Sequence, residues 1–130
     1  MFKRILLPID GSENSKKAAD KAIELAKELN STIIVTNIMD QSVDLSYNEQ
    51  EAKSNEFIKK IVDLILKNNI NVESMVLFGS PMYDIVTIAR KSEADSIIMG
   101  KQGINYSNSR VIGSFTEATL KNVDLPIILI

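Results

Sequence analysis

The stretch Gly100-Lys101-Gln102-Gly103 is followed by nine residues and then by Gly113-Ser114. Glycine at such places lets the main chain approach a ligand closely and take positive φ. A helix beginning near Ser114 adds unpaired N–H groups and the positive end of its dipole. Joined, these features make an anion site, most naturally for phosphate. A second turn, Asp10-Gly11-Ser12, places a carboxylate beside residues that favour turns and helix caps.

Composition narrows the chemistry. The chain has 130 residues, 45% apolar and 25% charged, with a formal net charge of −2. That suits one domain, residues 1–130, with a single core. Acidic and basic residues are interspersed, and no basic block is present to neutralise phosphates along a duplex or a membrane surface. With no Cys, disulfides and thiolate catalysis are excluded. With no His, the commonest general base and metal ligand is missing, and Ser-His-Asp or zinc-histidine chemistry with it. The opening apolar run, Ile5 to Ile9, is interrupted by Pro8 and meets Asp10 at once. It is too short for a signal-peptide core or a bilayer span, so a cytoplasmic protein is expected.

The elements that must carry these turns alternate regularly. Ile5-Leu6-Leu7-Pro8-Ile9 is a continuous apolar run, as in a strand covered on both faces. A helix follows with Ala19, Ala22, Ile23 and Ala26 on one face, ending at Asn30-Ser31. Thr32 to Met39 is a β-branched second strand. After a polar loop from Asp40 to Asn48, Glu49 to Asn68 carries Ile58, Ile61, Val62 and Ile65 at helical spacing. Asn71 to Phe78 alternates weakly and predicts a third strand. Ser80-Pro81 opens a helix with Met82, Ile85, Val86 and Ala89 facing inward. Ala94 to Met99 predicts a fourth strand, Ser114 to Asn122 a short helix, and Pro126 to Ile130 a last strand. This βαβα order predicts a parallel sheet with helices on both faces. In such sheets ligands bind beyond the carboxyl ends of the strands, where the strand order reverses. Asp10 and Gly100 both follow strands, so the two turns should face one crevice.

The glycine spacing, the opening Ile5-Leu6-Leu7-Pro8-Ile9-Asp10-Gly11-Ser12 and the closing Leu125-Pro126-Ile127-Ile128-Leu129-Ile130 together resemble the universal stress protein family across essentially the whole chain. The resemblance implies a three-layer α/β/α fold, Rossmann-like and similar to the adenine nucleotide alpha hydrolases. Its five-stranded parallel sheet would have the order 3-2-1-4-5. It implies a regulatory protein that binds ATP or a related adenine nucleotide, with Mg²⁺ accompanying the phosphates. Asp10 would reach the ribose or adenine side, with Pro8 and Ile9 near the base, and Ile38 would pack on adenine. Met99, at the end of the fourth strand, belongs to the same set. Gly100 and Gly103 would lie against ribose and phosphates. Gly113, Ser114, Phe115 and Thr116 would present N–H groups and hydroxyls to the phosphates. The resemblance also implies a homodimer paired through the last strand, with Leu125, Ile127, Ile128 and Leu129 near the interface.

Plainer roles fit several of these residues. Asp10 also suits a turn organiser or cap, and Ile38 an ordinary core residue. Ser114 also suits the first position of a capping box closed by Glu117. Lys101, Gln102 and Ile104 depart from the residues common in ATP-binding members, and Ile104 offers phosphate neither charge nor hydrogen bond. Lys101 and Arg110 are the nearby cations, and the loop from Gly103 to Arg110 is polar. Two other functions therefore stand beside the nucleotide binder: a nucleotide-independent dimeric interaction module and a slow ATPase. No GxxxxGK[ST] loop is present for the latter.

Overall fold

A computed structural model describes residues 1–103 and 111–130 of the chain. Five strands and the helices between them alternate: β1 (Arg4–Pro8), α1 (Glu13–Leu29), β2 (Thr32–Asp40), α2 (Tyr47–Lys67), β3 (Asn71–Gly79), α3 (Pro81–Lys91), β4 (Ser96–Met99), α4 (Ser114–Asn122) and β5 (Ile127–Leu129). The strands form one parallel sheet in the order β3-β2-β1-β4-β5. The chain steps outward from β1 to β3, then crosses back to β4, so the order reverses between β1 and β4.

Two cores follow from the period of two along each strand. Ile5, Leu7, Ile33 and Val35 face α1 and α2, where they meet Ala18, Ala19, Ala22, Ile58 and Ile65. Leu6, Ile34 and Ile97 face the other way, onto Ile85, Ile88 and Ala89 of α3. Because β1, β2 and β4 are covered on both sides, their sequences are mostly apolar rather than alternating, with Thr36 and Ser96 buried among them. Complete burial of a leucine or isoleucine such as Leu6 or Ile33 contributes about 1.5–3 kcal/mol. β3 lies at the sheet edge, and its outward residues Val76 and Phe78 are exposed. Phe78 meets Tyr47 edge-to-face at 5.2 Å.

Local signals set the helix starts. Ser12 caps α1, accepting from the N–H of Ser15 at 3.2 Å. Asn30 ends it in the left-handed conformation, which asparagine tolerates. Ser80 and Pro81 open α3 at the expected residues, but the Ser80 side chain makes no capping bond. The Ser80 N–H instead donates to Asp84 Oδ2 at 2.8 Å. Met82, expected on the inward face, is exposed; Ile85, Ile88 and Ala89 form that face.

The amino ends of the strands are tied by polar contacts. The main-chain N–H groups of Lys3 and Arg4 donate to the Asp95 carboxylate. Burial alone pushes the Asp95 carboxyl up. Bonds from the Lys3 N–H, the Ser96 hydroxyl and the Arg4 N–H, with the nearby N-terminal ammonium, bring it net below its ordinary value. Arg4 makes a two-pronged pair with Glu73 at 2.8 and 2.9 Å, and that hydrogen bond holds the Glu73 carboxyl below its ordinary value. The carboxyl ends of the strands, at the opposite edge, are left to other groups.

Candidate functional site

At those carboxyl ends lies a cavity of about 480 Å³, within the range of about 300–1,000 Å³ common for small-molecule sites. β1 supplies Pro8, Ile9 and Asp10 from its end and the turn beyond. β2 supplies Thr36, Asn37, Ile38 and Asp40, and β4 supplies Met99 and Gly100. One wall is Gln41 and Ser42 with Ser80, Pro81 and Met82 of the β3–α3 junction. The other is Gln102 and Gly103 with Gly113, Ser114, Phe115 and Thr116. All eleven residues singled out from the sequence thus line one cavity, at the point where the strand order reverses. Lys101 is not among the lining residues. Ile104 and Arg110 lie outside the described residues.

The two turns come together because glycine permits it. A Cβ on Gly100 would stand 3.0 Å from Asn14 Cβ and 3.2 Å from the Asn14 main chain, so the end of β4 runs against the first turn of α1. A Cβ on Gly103 would stand 2.6 Å from Asp10 Oδ2. Gly103 therefore lies directly against the carboxylate. Asp10 is held from the other side: its Oδ1 accepts from the Ser12 N–H at 2.9 Å. One carboxylate oxygen is occupied by the turn, and the other faces the glycine loop.

The base of that loop is stapled. The Gly113 N–H donates to Lys101 O at 2.8 Å, and the Lys101 N–H donates to Ile130 O at 3.0 Å. Gln102, almost fully buried, donates from Nε2 to Val111 O, and Asn14 Nδ2 reaches Gln102 O. Gln102 thus fixes the two ends of the loop to each other.

The start of α4 differs from the expected capping box. Gly113 is the N-cap, extended at φ −67 and ψ 155, and Ser114 is already helical. The bond from Gly113 to Lys101 fixes this register. Glu117 then falls four residues beyond the cap, where its N–H bonds Gly113 O at 2.9 Å and its side chain pairs with Lys121. Three residues beyond the cap stands Thr116, whose Oγ1 donates to Gly100 O at 2.9 Å. That bond ties the first turn of α4 to the end of β4, with the helix N-terminus directed at the cavity.

The electrostatics are mixed. Asp10 and Asp40 bring two carboxylates, and Asp40 Oδ1 is engaged by the Ser42 N–H and hydroxyl at 2.9 and 2.7 Å. No Lys or Arg among the described residues lines the cavity. The positive potential available from these residues is that of the α4 N-terminus, with the α3 N-terminus at Ser80–Met82 on the facing wall. Among the described residues no group of three or more acidic, Cys or His side chains stands ready to hold a metal. Apolar surface comes from Pro8, Ile9, Ile38, Met82, Met99 and Phe115. The arrangement suits a flat apolar group with polar edges at one end and an anion at the other.

Sequence reasoning missed Ser15, Thr36, Asn37, Asp40–Ser42 and Ser80–Met82 as lining residues. A usable signal was present: parallel topology sends every strand's carboxyl end to the same edge, so the β2 and β3 ends had to arrive beside Asp10.

The model of the universal stress protein family matches residues 1–130. Universal stress protein MJ0531 of Methanocaldococcus jannaschii is 28% identical over 140 residues, covering 100% of this chain and 82% of the relative. Putative universal stress protein SSP1056 of Staphylococcus saprophyticus is 30% identical over 139 residues, covering 99% and 83%. Among solved structures, universal stress protein UspA from Lactobacillus plantarum superposes with a TM-score of 0.88 at 19% identity, covering 99% of this chain and 97% of that one. The hypothetical protein MJ0577 gives 0.84 at 28% identity, covering 100% and 96%. The Archaeoglobus fulgidus universal stress protein in complex with dAMP gives 0.79 at 21% identity, covering 99% and 98%. No described helix is long and apolar enough to cross a membrane. The cavity, the strand order that creates it and the match over the full length lead to one conclusion: the chain belongs to the universal stress protein family.

Proposed function

We propose that the cavity binds an adenine nucleotide, with ATP accompanied by Mg²⁺ as its fullest occupant, and that the protein serves as a cytoplasmic stress-response or signalling regulator. Adenine lies among Pro8, Ile9, Ile38 and Met99. Asp10 Oδ2, the carboxylate oxygen not engaged by Ser12, accepts from ribose hydroxyls. Gly100 and Gly103 flank the sugar. The phosphates meet the N-terminus of α4 at Gly113–Thr116, where main-chain N–H groups and the helix dipole favour an anion. No built carboxylate cage is needed for Mg²⁺, which travels on the phosphates and keeps water ligands. The protein acts as a homodimer, with β5 of each copy at the interface.

The convergence of Asp10, the glycine loop and the first turn of α4 on one cavity carries this reading. The dAMP complex of the Archaeoglobus fulgidus protein supports the adenine class. A nucleotide-independent interaction module is the second reading. It is favoured by the two carboxylates and by the lack of a cation among the described lining residues, which disfavour a triphosphate.

Mass spectrometry of small molecules released from the purified protein tests the proposal, paired with melting curves in AMP and in Mg-ATP. A ligand at a hundred times its dissociation constant adds roughly 2.7 kcal/mol of stability. Co-purified adenine nucleotide, or an upward shift lost in Asp10→Ala, supports the nucleotide binder. No nucleotide and no shift overturns it in favour of the interaction module.

A further inference from the structure

Ser54 lies on α2, outside the cavity, and is 1% exposed. A serine inside a helix commonly turns its hydroxyl back to the carbonyl one turn earlier. Ser54 instead reaches across to the sheet, and its Oγ donates to Asn37 Oδ1 at 2.9 Å. Asn37 Nδ2 donates to Ile9 O, also at 2.9 Å. Chemistry fixes this order. A main-chain carbonyl only accepts, so Asn37 must turn its NH₂ toward Ile9, which leaves its own oxygen for the Ser54 hydroxyl.

Ile9 C=O and Asp10 N–H belong to one planar peptide group. Its oxygen is held by Asn37, and its N–H makes only a long contact, 3.5 Å, to Ser15 Oγ. The Asn37 bond is therefore the firmer hold on this plane. The plane sets the direction in which Asp10 leaves the chain, and so where Oδ2 points once Oδ1 is engaged by Ser12.

We propose that Ser54 is a positioning residue for Asp10, acting through Asn37 and the Ile9–Asp10 peptide. Its functional consequence rests on the nucleotide reading above: Ser54 sets the carboxylate against the sugar without touching the ligand. The hydroxyl is small and its loss leaves a helix-favouring alanine, so Ser54→Ala retains the fold.

The test is calorimetric titration with AMP of four full-length chains: unaltered, Ser54→Ala, Asp10→Ala and the double variant. Hydrogen exchange of the Asp10 amide is followed in the unliganded proteins. Loss of one buried hydrogen bond predicts about fivefold weaker AMP binding in Ser54→Ala. No further weakening is expected when Asp10 is already alanine. The Asp10 amide should exchange about fivefold faster in Ser54→Ala, with β4 amides unchanged. Equal weakening in both backgrounds, or an unchanged Asp10 amide, overturns the inference while leaving the nucleotide reading intact. If the unaltered chain binds neither AMP nor Mg-ATP, the nucleotide reading falls. The exchange measurement then decides the positioning role alone, faster exchange supporting it and unchanged exchange refuting it.

Discussion

Replacing Gly103 by alanine tests the closest contact in the site. The new Cβ would stand 2.6 Å from Asp10 Oδ2, where ordinary contact begins at 3.4 Å. Two routes relieve the overlap. The loop shifts away from Asp10, or the carboxylate turns. Turning it breaks the bond from the Ser12 N–H to Oδ1 at 2.9 Å. A hydrogen bond to a charged group contributes about 1.5–3 kcal/mol, and an off-rotamer side chain costs about 0.5–1.5 kcal/mol. Since the cheaper route is taken, the net loss should be about 1–2 kcal/mol. For a chain of this size that lowers Tm by roughly 3–8 °C. Displacing Oδ2 should also weaken AMP binding about tenfold, equivalent to about 1.4 kcal/mol. The control is the same change in an Asp10→Ala background, where the oxygen is gone and alanine at 103 should cost little. Calorimetric melting and AMP titration of the four chains give the coupling directly. An equal cost in both backgrounds, or no cost at all, would refute the argument that Gly103 is required by the carboxylate.

Three further outcomes follow from other parts of the fold. Gly100→Ala should lower stability by about 1–3 kcal/mol whether or not Asp10 is present, because its Cβ meets the Asn14 main chain, which cannot swing aside; denaturant unfolding of both backgrounds checks this, and coupling to Asp10 would contradict it. The Asp95 and Glu73 carboxyls are both held below their ordinary values of 3.8 and 4.5 in the folded chain. Their contribution is therefore full above those values and is lost as pH falls through the lower folded-state values. Asp95→Asn should be less stable than the unaltered chain at neutral pH, with the gap closing in acid. Melting curves between pH 7 and about pH 2 read this, and a gap that widens in acid would reverse the sign. Sedimentation at micromolar concentration should give a two-chain species, since a sheet edge left bare invites pairing; a clean monomer would remove the homodimer.

Legibility in the sequence tracked how many neighbours constrain a residue's type. β1, β2 and β4 were readable because burial on both faces leaves mostly apolar side chains there, with Thr36 and Ser96 as buried polar exceptions. β3 read weakly because it is an edge strand: Val72, Met75 and Leu77 pack inward while Glu73, Val76 and Phe78 meet solvent. Met82 was misplaced because period alone cannot show that the first turn of α3 projects past the core to the cavity wall. The Ser114 cap was misread because its register depends on a bond from Gly113 to Lys101, twelve residues away, which no local pattern reveals. Asn37 was hidden inside an apolar run, and its role follows only from its distance to Ile9 and Ser54.

The glycine motif that stood out most clearly in the sequence turns out to satisfy two different demands. Gly100 sits tight against α1, where a Cβ would press on Asn14 at 3.0–3.2 Å, and Thr116 Oγ1 uses the Gly100 carbonyl to dock α4. Gly103 lies against a carboxylate of the cavity, where a Cβ would stand 2.6 Å from Asp10 Oδ2. One short spacing therefore joins a constraint of packing to a constraint of the site, with buried Gln102 between them fixing the loop ends. The structural part of these demands leaves the types of Lys101 and Gln102, the two departures from the pattern expected of the family's ATP binders, open to other uses. Lys101 contributes through its main chain, to Ile130 and Gly113, and that role leaves its side-chain type open. The departure at Gln102 has its own structural use, so neither residue counts against an occupied site. The departure that bears on phosphate affinity is the lack of a cation among the described lining residues. Under the proposed nucleotide binding, the anion would be stabilised by the first turn of α4, whose dipole and N–H groups do not depend on side-chain type.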